Sequence, residues 1–117
     1  MNILYVENHP RFADIAVRSF LAEHSVVVVA SLAAARQALA GQSFDLVLLD
    51  QDLDDGKGTE LAAELHARPA RPLILAASSH AAGNEALLRT GADAACSKLD
   101  FARVSAAIAG LSARRTG

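Results

Sequence analysis

The stretch Phe44-Asp-Leu-Val-Leu-Leu-Asp50 places the tightest constraint on what this chain can become. Five of its seven residues are apolar, and the run ends in a carboxylate. Such a run, without polar alternation, predicts a strand buried on both faces, as in a parallel sheet between two helical layers. Asp50 then stands where the strand leaves the core, at the carboxyl edge of the sheet. Ligands collect at that edge in open α/β folds. The polar run Gln51-Asp52-Leu53-Asp54-Asp55-Gly56-Lys57-Gly58 follows at once.

The rest of the chain supplies the layers. Ile3–Val6 reads as a first strand and Pro10 as the first turn of a helix, with Asn8 or His9 ahead of it. Phe12, Ile15, Ala16 and Phe20 recur at helical spacing. Val26–Val29 is a run of β-branched residues and predicts a second buried strand. Ser31 is placed to cap a helix through Leu32, Ala35 and Leu39, with Gly41 closing it. A third helix from about Thr59 carries Leu61 and Leu65 and stops before Pro69 and Pro72. Leu73–Ala77 is a fourth strand, a short helix spans about 84–89 with Gly91 as its stop, and Asp93–Ser97 is a fifth strand. Asp100 is placed to cap a last helix with Phe101, Val104, Ile108 and Leu111 at three- and four-residue intervals.

Five alternations of strand and helix predict an α/β fold: a doubly wound five-stranded parallel sheet, order 2-1-3-4-5, with helices on both faces. At 117 residues the chain is one domain, expected over 1–112, with a flexible tail at 113–117. Aromatics are only 4%, so the core must be built from Ala, Leu, Val and Ile. A formal charge of -2 gives no electrostatic case for nucleic acid. A single cysteine excludes an internal disulfide, and Cys96 sits in a small apolar run that favours a buried thiol. No apolar run reaches transmembrane length and no signal peptide precedes the first strand, so a cytoplasmic protein without membrane contact is expected.

Three strand ends carry polar groups: Glu7 and Asn8 after the first, Asp50 after the third, Lys98 after the fifth. In the order 2-1-3-4-5 the first and third strands are neighbours, which brings Glu7 and Asp50 together. Two close carboxylates repel, and a hard divalent cation such as Mg²⁺ relieves them with oxygen ligands. Lys98 adds a mobile positive charge, and the Ser78 hydroxyl a hydrogen bond. The four histidines show no paired metal-ligand spacing and read as exposed. Gly56-Lys57-Gly58 is too short for a phosphate-cradling loop, and Ser78-Ser79-His80 does not converge as a nucleophile triad would.

This constellation resembles the receiver domain of two-component response regulators over essentially the whole chain. The residues that carry it are Ile-Leu-Tyr-Val-Glu-Asn at 3–8, Phe44–Asp50, Asp52–Gly58, Gly91-Ala-Asp93 and Ser97-Lys98. The resemblance implies that Asp50 accepts a phosphoryl group from a histidine kinase or phosphotransfer protein, to regulate a downstream effector or an output domain. It implies Mg²⁺ held by Glu7, Asp50 and the Asp52 carbonyl, with Asn8 a further candidate ligand. Lys98 and Ser78 would contact the phosphoryl group. The chain would be a signalling phosphoacceptor and not an enzyme of another kind.

Several residues depart from the family pattern. Asn8 stands in place of a second acid, so Mg²⁺ is expected to bind weakly, and Glu7 is one methylene longer than the usual Asp. Asp54 and Leu99 each replace a proline, and Ala95 replaces the aromatic switch residue. A non-proline cis peptide costs about 2.5–4 kcal/mol. The Lys98–Leu99 bond is therefore expected to be trans, with the ammonium displaced from Asp50. Counting from Pro72 puts the family's hydroxyl position at Ala77, while the polar edge favours Ser78. Residues 78–84 are expected to form a loosely held signalling loop. One rival reading is a degenerate receiver that binds partners without phosphorylation. A more distant rival is a flavodoxin-like flavin carrier, for which Glu7-Asn8-His9-Pro10 lacks a glycine.

Overall fold

The computed structural model describes residues 1–116. Its strands are β1 (Asn2–Val6), β2 (Ser25–Val29), β3 (Leu46–Leu49), β4 (Asp52–Leu53), β5 (Gly56–Lys57), β6 (Leu73–Ala76) and β7 (Ala94–Ala95). Its helices are α1 (Pro10–Phe20), α2 (Leu32–Gly41), α3 (Gly58–His66), α4 (Ala81–Thr90) and α5 (Val104–Thr116). A 3₁₀ segment, Lys98–Arg103, leads into α5. The main sheet is parallel in the order β2-β1-β3-β6-β7, which is the expected doubly wound arrangement.

Side chains alternate along the central strands, so each strand feeds two cores. Tyr5, Leu48, Leu75 and Ala77 pack with Ala13 and Ala16 of α1 and with Val104, Ile108 and Leu111 of α5. Leu4, Val6, Val47, Leu49, Ile74 and Ala76 pack with Leu32 and Ala35 of α2, Leu61 and Leu65 of α3 and Leu87 of α4. The small alanines let the helices approach the sheet closely. Pro10 opens α1, and the Ser31 hydroxyl accepts the Ala34 N–H at 3.1 Å, as expected of a cap.

Four local expectations change. The fifth strand shrinks to Ala94–Ala95, although single bonds from Asp93 N to Ile74 O and from Cys96 N to Ala76 O continue its pairing. The fourth helix starts three residues earlier than the sequence suggested, at Ala81, and Gly91 ends it with φ +134°. Asp100 caps nothing: it takes a non-helical conformation and its carboxylate pairs with Arg103. Helix α5 continues to Thr116, through most of the segment assigned to a tail, while Gly117 lies outside the described residues.

The polar run after β3 folds into a small hairpin, β4 against β5, tied across by a Lys57–Asp52 ion pair. Its turn carries Asp55 to α2, where the carboxylate accepts the Leu32 N–H at 2.8 Å and the Ala33 N–H at 3.0 Å. With Ser31, the first three amides of α2 are thus satisfied. Gly58 then opens α3 with no room to spare, since a Cβ there would strike the Asp50 carbonyl.

Two glycine substitutions separate the tight contact from the loose one. Gly58→Ala should destabilise the protein by about 1–3 kcal/mol, because the clash is with backbone that cannot rotate away. Gly110→Ala, in the interior of α5 with nothing within 4 Å, should stabilise it by about 0.5–1 kcal/mol. Urea denaturation midpoints check both.

Candidate functional site

The register of β1 and β3 pairs Val6 with Leu49, so the next residues, Glu7 and Asp50, leave the sheet side by side. Backbone bonds hold them there: Glu7 N–H donates to Val29 O and Asp50 N–H to Val6 O. Both carboxylates are buried, with relative exposures of 1% and 5%. The Lys98 ammonium reaches them from beyond β7, 2.7 Å from Glu7 Oε1 and 3.5 Å from Asp50 Oδ2. The Phe12 ring of α1 lies under the same ammonium, 4.9 Å from its centroid. The 2.7 Å contact is an ion pair, and Glu7 Oε1 has no hydrogen-bond partner among the described residues.

Two carboxylates against one ammonium leave one negative charge uncompensated. Burial pushes the Asp50 carboxyl above its ordinary range, and repulsion from Glu7 adds to this. Lys98 and the Gln51 N–H, which donates to Asp50 Oδ1 at 2.8 Å, oppose the shift without cancelling it. Such a site favours a cation or a proton.

The donors present suit a hard cation. Glu7 Oε1 and Asn8 Oδ1 are buried oxygens without hydrogen bonds, and the Asn8 amide nitrogen is tied to Asp54 Oδ1 at 3.2 Å. With Asp50 they form an oxygen set of the kind Mg²⁺ takes. His9 is exposed, as expected, and also reaches the cluster. Its Nδ1 lies 2.9 Å from Glu7 Oε2, and ligand atoms of Glu7, His9 and Asp50 all fall within 4.8 Å of one another. The Asp52 side chain turns outward to Lys57.

A family model for the response regulator receiver domain matches residues 3–109. The chain belongs to the response regulator receiver domain family. Solved receiver domains share its fold. That of the TMAO respiratory system response regulator TorR is 29% identical, with a TM-score of 0.85 and 97% of each chain covered. A CheY-like receiver domain protein from Methanospirillum hungatei JF-1 is 27% identical, with a TM-score of 0.72, covering 83% of this chain and 80% of its own. The BeF3-activated receiver domain of RstA from Klebsiella pneumoniae is 26% identical, with a TM-score of 0.78, covering 95% and 97%. No protein with a curated description matches the sequence.

Relative to the receiver pattern, the switch positions are altered. The register sets Leu49 opposite Ala76, so Ala77 stands beside Asp50 and Ser78 one residue beyond. The Ser78 hydroxyl accepts the His80 N–H at 3.1 Å and faces Gly83 of α4. Its backbone is clamped: Ser78 N–H donates to Asn84 Oδ1 at 2.9 Å, and Asn84 Nδ2 donates to Ser78 O at 3.2 Å. Residues 78–84 are therefore anchored at both ends, contrary to the loose loop expected. Ala95 is exposed, so no ring packs there.

The Lys98–Leu99 peptide is trans, as expected, yet the ammonium has not left Asp50. The Lys98 N–H donates to Ser78 O at 3.1 Å and keeps the residue at the end of β7. Phe12 thus lies against the Lys98 ammonium and Asn84 holds the Ser78 backbone, although helical periodicity alone marked Phe12 as core. Asn84 gave no sequence signal, because its partner is the backbone of Ser78.

The raised Asp50 value sets a pH dependence. Stability linked to the protonated carboxyl is fully present below the unfolded Asp value of about 3.9 and is lost as pH rises through the folded one. Asp50→Asn should therefore raise the denaturation midpoint at neutral pH. The gain should shrink as pH falls toward 4, which thermal unfolding across that range checks.

Proposed function

We propose that this receiver domain takes a phosphoryl group onto Asp50 from the phosphohistidine of a histidine kinase or phosphotransfer protein. The modified domain then changes its binding to an effector or an attached output domain. The observation that carries this reading is the convergence of Lys98 on Asp50 and Glu7 at the carboxyl edge of the sheet. One Asp50 oxygen attacks phosphorus, the P–N bond breaks, and its electron pair stays on the departing imidazole, which takes a proton from solvent. Lys98 faces the charge that the incoming phosphoryl oxygens bring, and little covalent help is needed beyond such positioning. The Gln51 N–H on Oδ1 orients the carboxylate.

Mg²⁺ held by Glu7, Asp50, the Asp52 carbonyl and Asn8 would supply further charge neutralisation. Ser78 acts here through its carbonyl, which holds the Lys98 backbone, more than through its hydroxyl. The description of the RstA domain as BeF3-activated records that relative with a phosphoryl mimic and supports the same chemistry here.

One observation favours a second reading, a receiver that binds partners without phosphorylation. Ala77 beside Asp50 offers no hydroxyl to follow a phosphoryl group, so the usual response to modification lacks a part. Intact-mass measurement after incubation with acetyl phosphate and Mg²⁺ separates the two. A one-phosphoryl mass gain that disappears in Asp50→Asn upholds phosphoacceptance. An unmodified wild type, under conditions where a second receiver is modified, overturns it.

Asn8→Asp gives a further check. Adding a carboxylate beside Glu7 should tighten Mg²⁺ binding about tenfold, a gain of roughly 1.4 kcal/mol. Amide shifts around Asp50 report it.

A further inference from the structure

A cleft at the opposite pole, under the amino ends of β3 and β6, has no part in the chemistry at Asp50. It encloses about 580 Å³ between the ends of α2, α3 and α5. Arg68, Arg71 and Arg115 line it, and among the described residues no acidic side chain does. The three cations differ. Arg71 is committed to Asp93 by two hydrogen bonds, Nη1 to Oδ2 at 2.9 Å and Nη2 to Oδ1 at 2.8 Å, and Nη1 also reaches Pro72 O. Asp93 in turn holds the Ile74 N–H at 2.8 Å, so this pair fixes the entry to β6. Arg68 and Arg115 have no ion pair among the described residues, and Arg115 only attracts Asp93 at longer range.

With Arg71 neutralised by Asp93, two positive charges remain uncompensated around one concave surface. We infer that this cleft binds a small ligand carrying a diphosphate group. A ligand with at least two adjacent negative charges matches the two free guanidiniums, whose forked donors suit phosphate oxygens. The cleft volume lies in the range of about 300–1,000 Å³ usual for small-molecule sites. Leu39, Phe44 and Pro69 give it an apolar wall, against which an organic group attached to the diphosphate could lie. The diphosphate is the shared chemistry of two sources, inorganic pyrophosphate and a nucleoside diphosphate.

The test is an amide-resonance titration of the full chain at low ionic strength, with pyrophosphate, ADP and AMP in separate arms. Shifts should centre on residues 42–44, 68–72 and 115, and AMP should bind more weakly than ADP. ADP tighter than pyrophosphate identifies a nucleotide that uses the apolar wall. Equal or weaker ADP identifies the inorganic ion. Arg68→Gln with Arg115→Gln should reduce affinity at least about tenfold, since the charge-assisted bonds of both guanidiniums are lost. Both positions are exposed, and Arg68→Gln alone provides a second variant should the pair impair folding. Shifts confined to Asp50 and Lys98, no shifts at all, or affinity unchanged in both variants would overturn the assignment.

Discussion

A cluster of three buried charges, Glu7, Asp50 and Lys98, is what the rest of this structure must accommodate. Removing one partner of a buried ion pair costs about 3–5 kcal/mol, because the survivor is left desolvated and unpaired. Several features exist on this account. The β1–β3 register brings the two carboxylates out of the sheet together. The Ser78 carbonyl fixes the backbone of Lys98, and Phe12 offers its ring face to the ammonium. That ring packs edge-on against Phe101, which in turn stacks on Tyr5, so the first core is continuous with the site. The cluster is still one positive charge short, and this is the physical basis for expecting a cation or a proton there.

The loops around Asp50 are more tightly bound to the body of the protein than their composition suggests. Gln51 spends its side-chain oxygen on the Thr59 N–H, and Asp55 spends both of its oxygens on the start of α2. A shift in the backbone after Asp50 therefore acts on α2 and α3 directly. On the other side, the Asn84 clamp joins the end of β6 to α4. These two connections tie the backbone on either side of Asp50 to α2, α3 and α4.

The fold was legible because its signals are periodic and redundant. Apolar runs gave the four longer strands, and the sheet order followed from the alternation of strands and helices. The fifth strand kept only two residues, since Ala94 and Ala95 add little side-chain packing at an edge. The hairpin at 52–57 was missed because two-residue strands have no periodicity. At the site, Asp50, Glu7 and Lys98 were visible as strand ends. The partners of Ser78 were not, because register decides which residue stands beside Asp50, and one position separates Ala77 from Ser78. His9 was set aside by a search for paired histidine spacing, whereas its actual partner is a carboxylate two residues away.

Lys98 compensates Asp50 inside a buried cluster. Carbon-detected titration of the Asp50 carboxyl group, in the wild type and in Lys98→Met, measures this compensation. With the ammonium removed, burial and the repulsion from Glu7 are opposed by the Gln51 N–H alone, and the Asp50 value should move upward from the wild type. Titration curves that coincide in the two proteins would contradict the account.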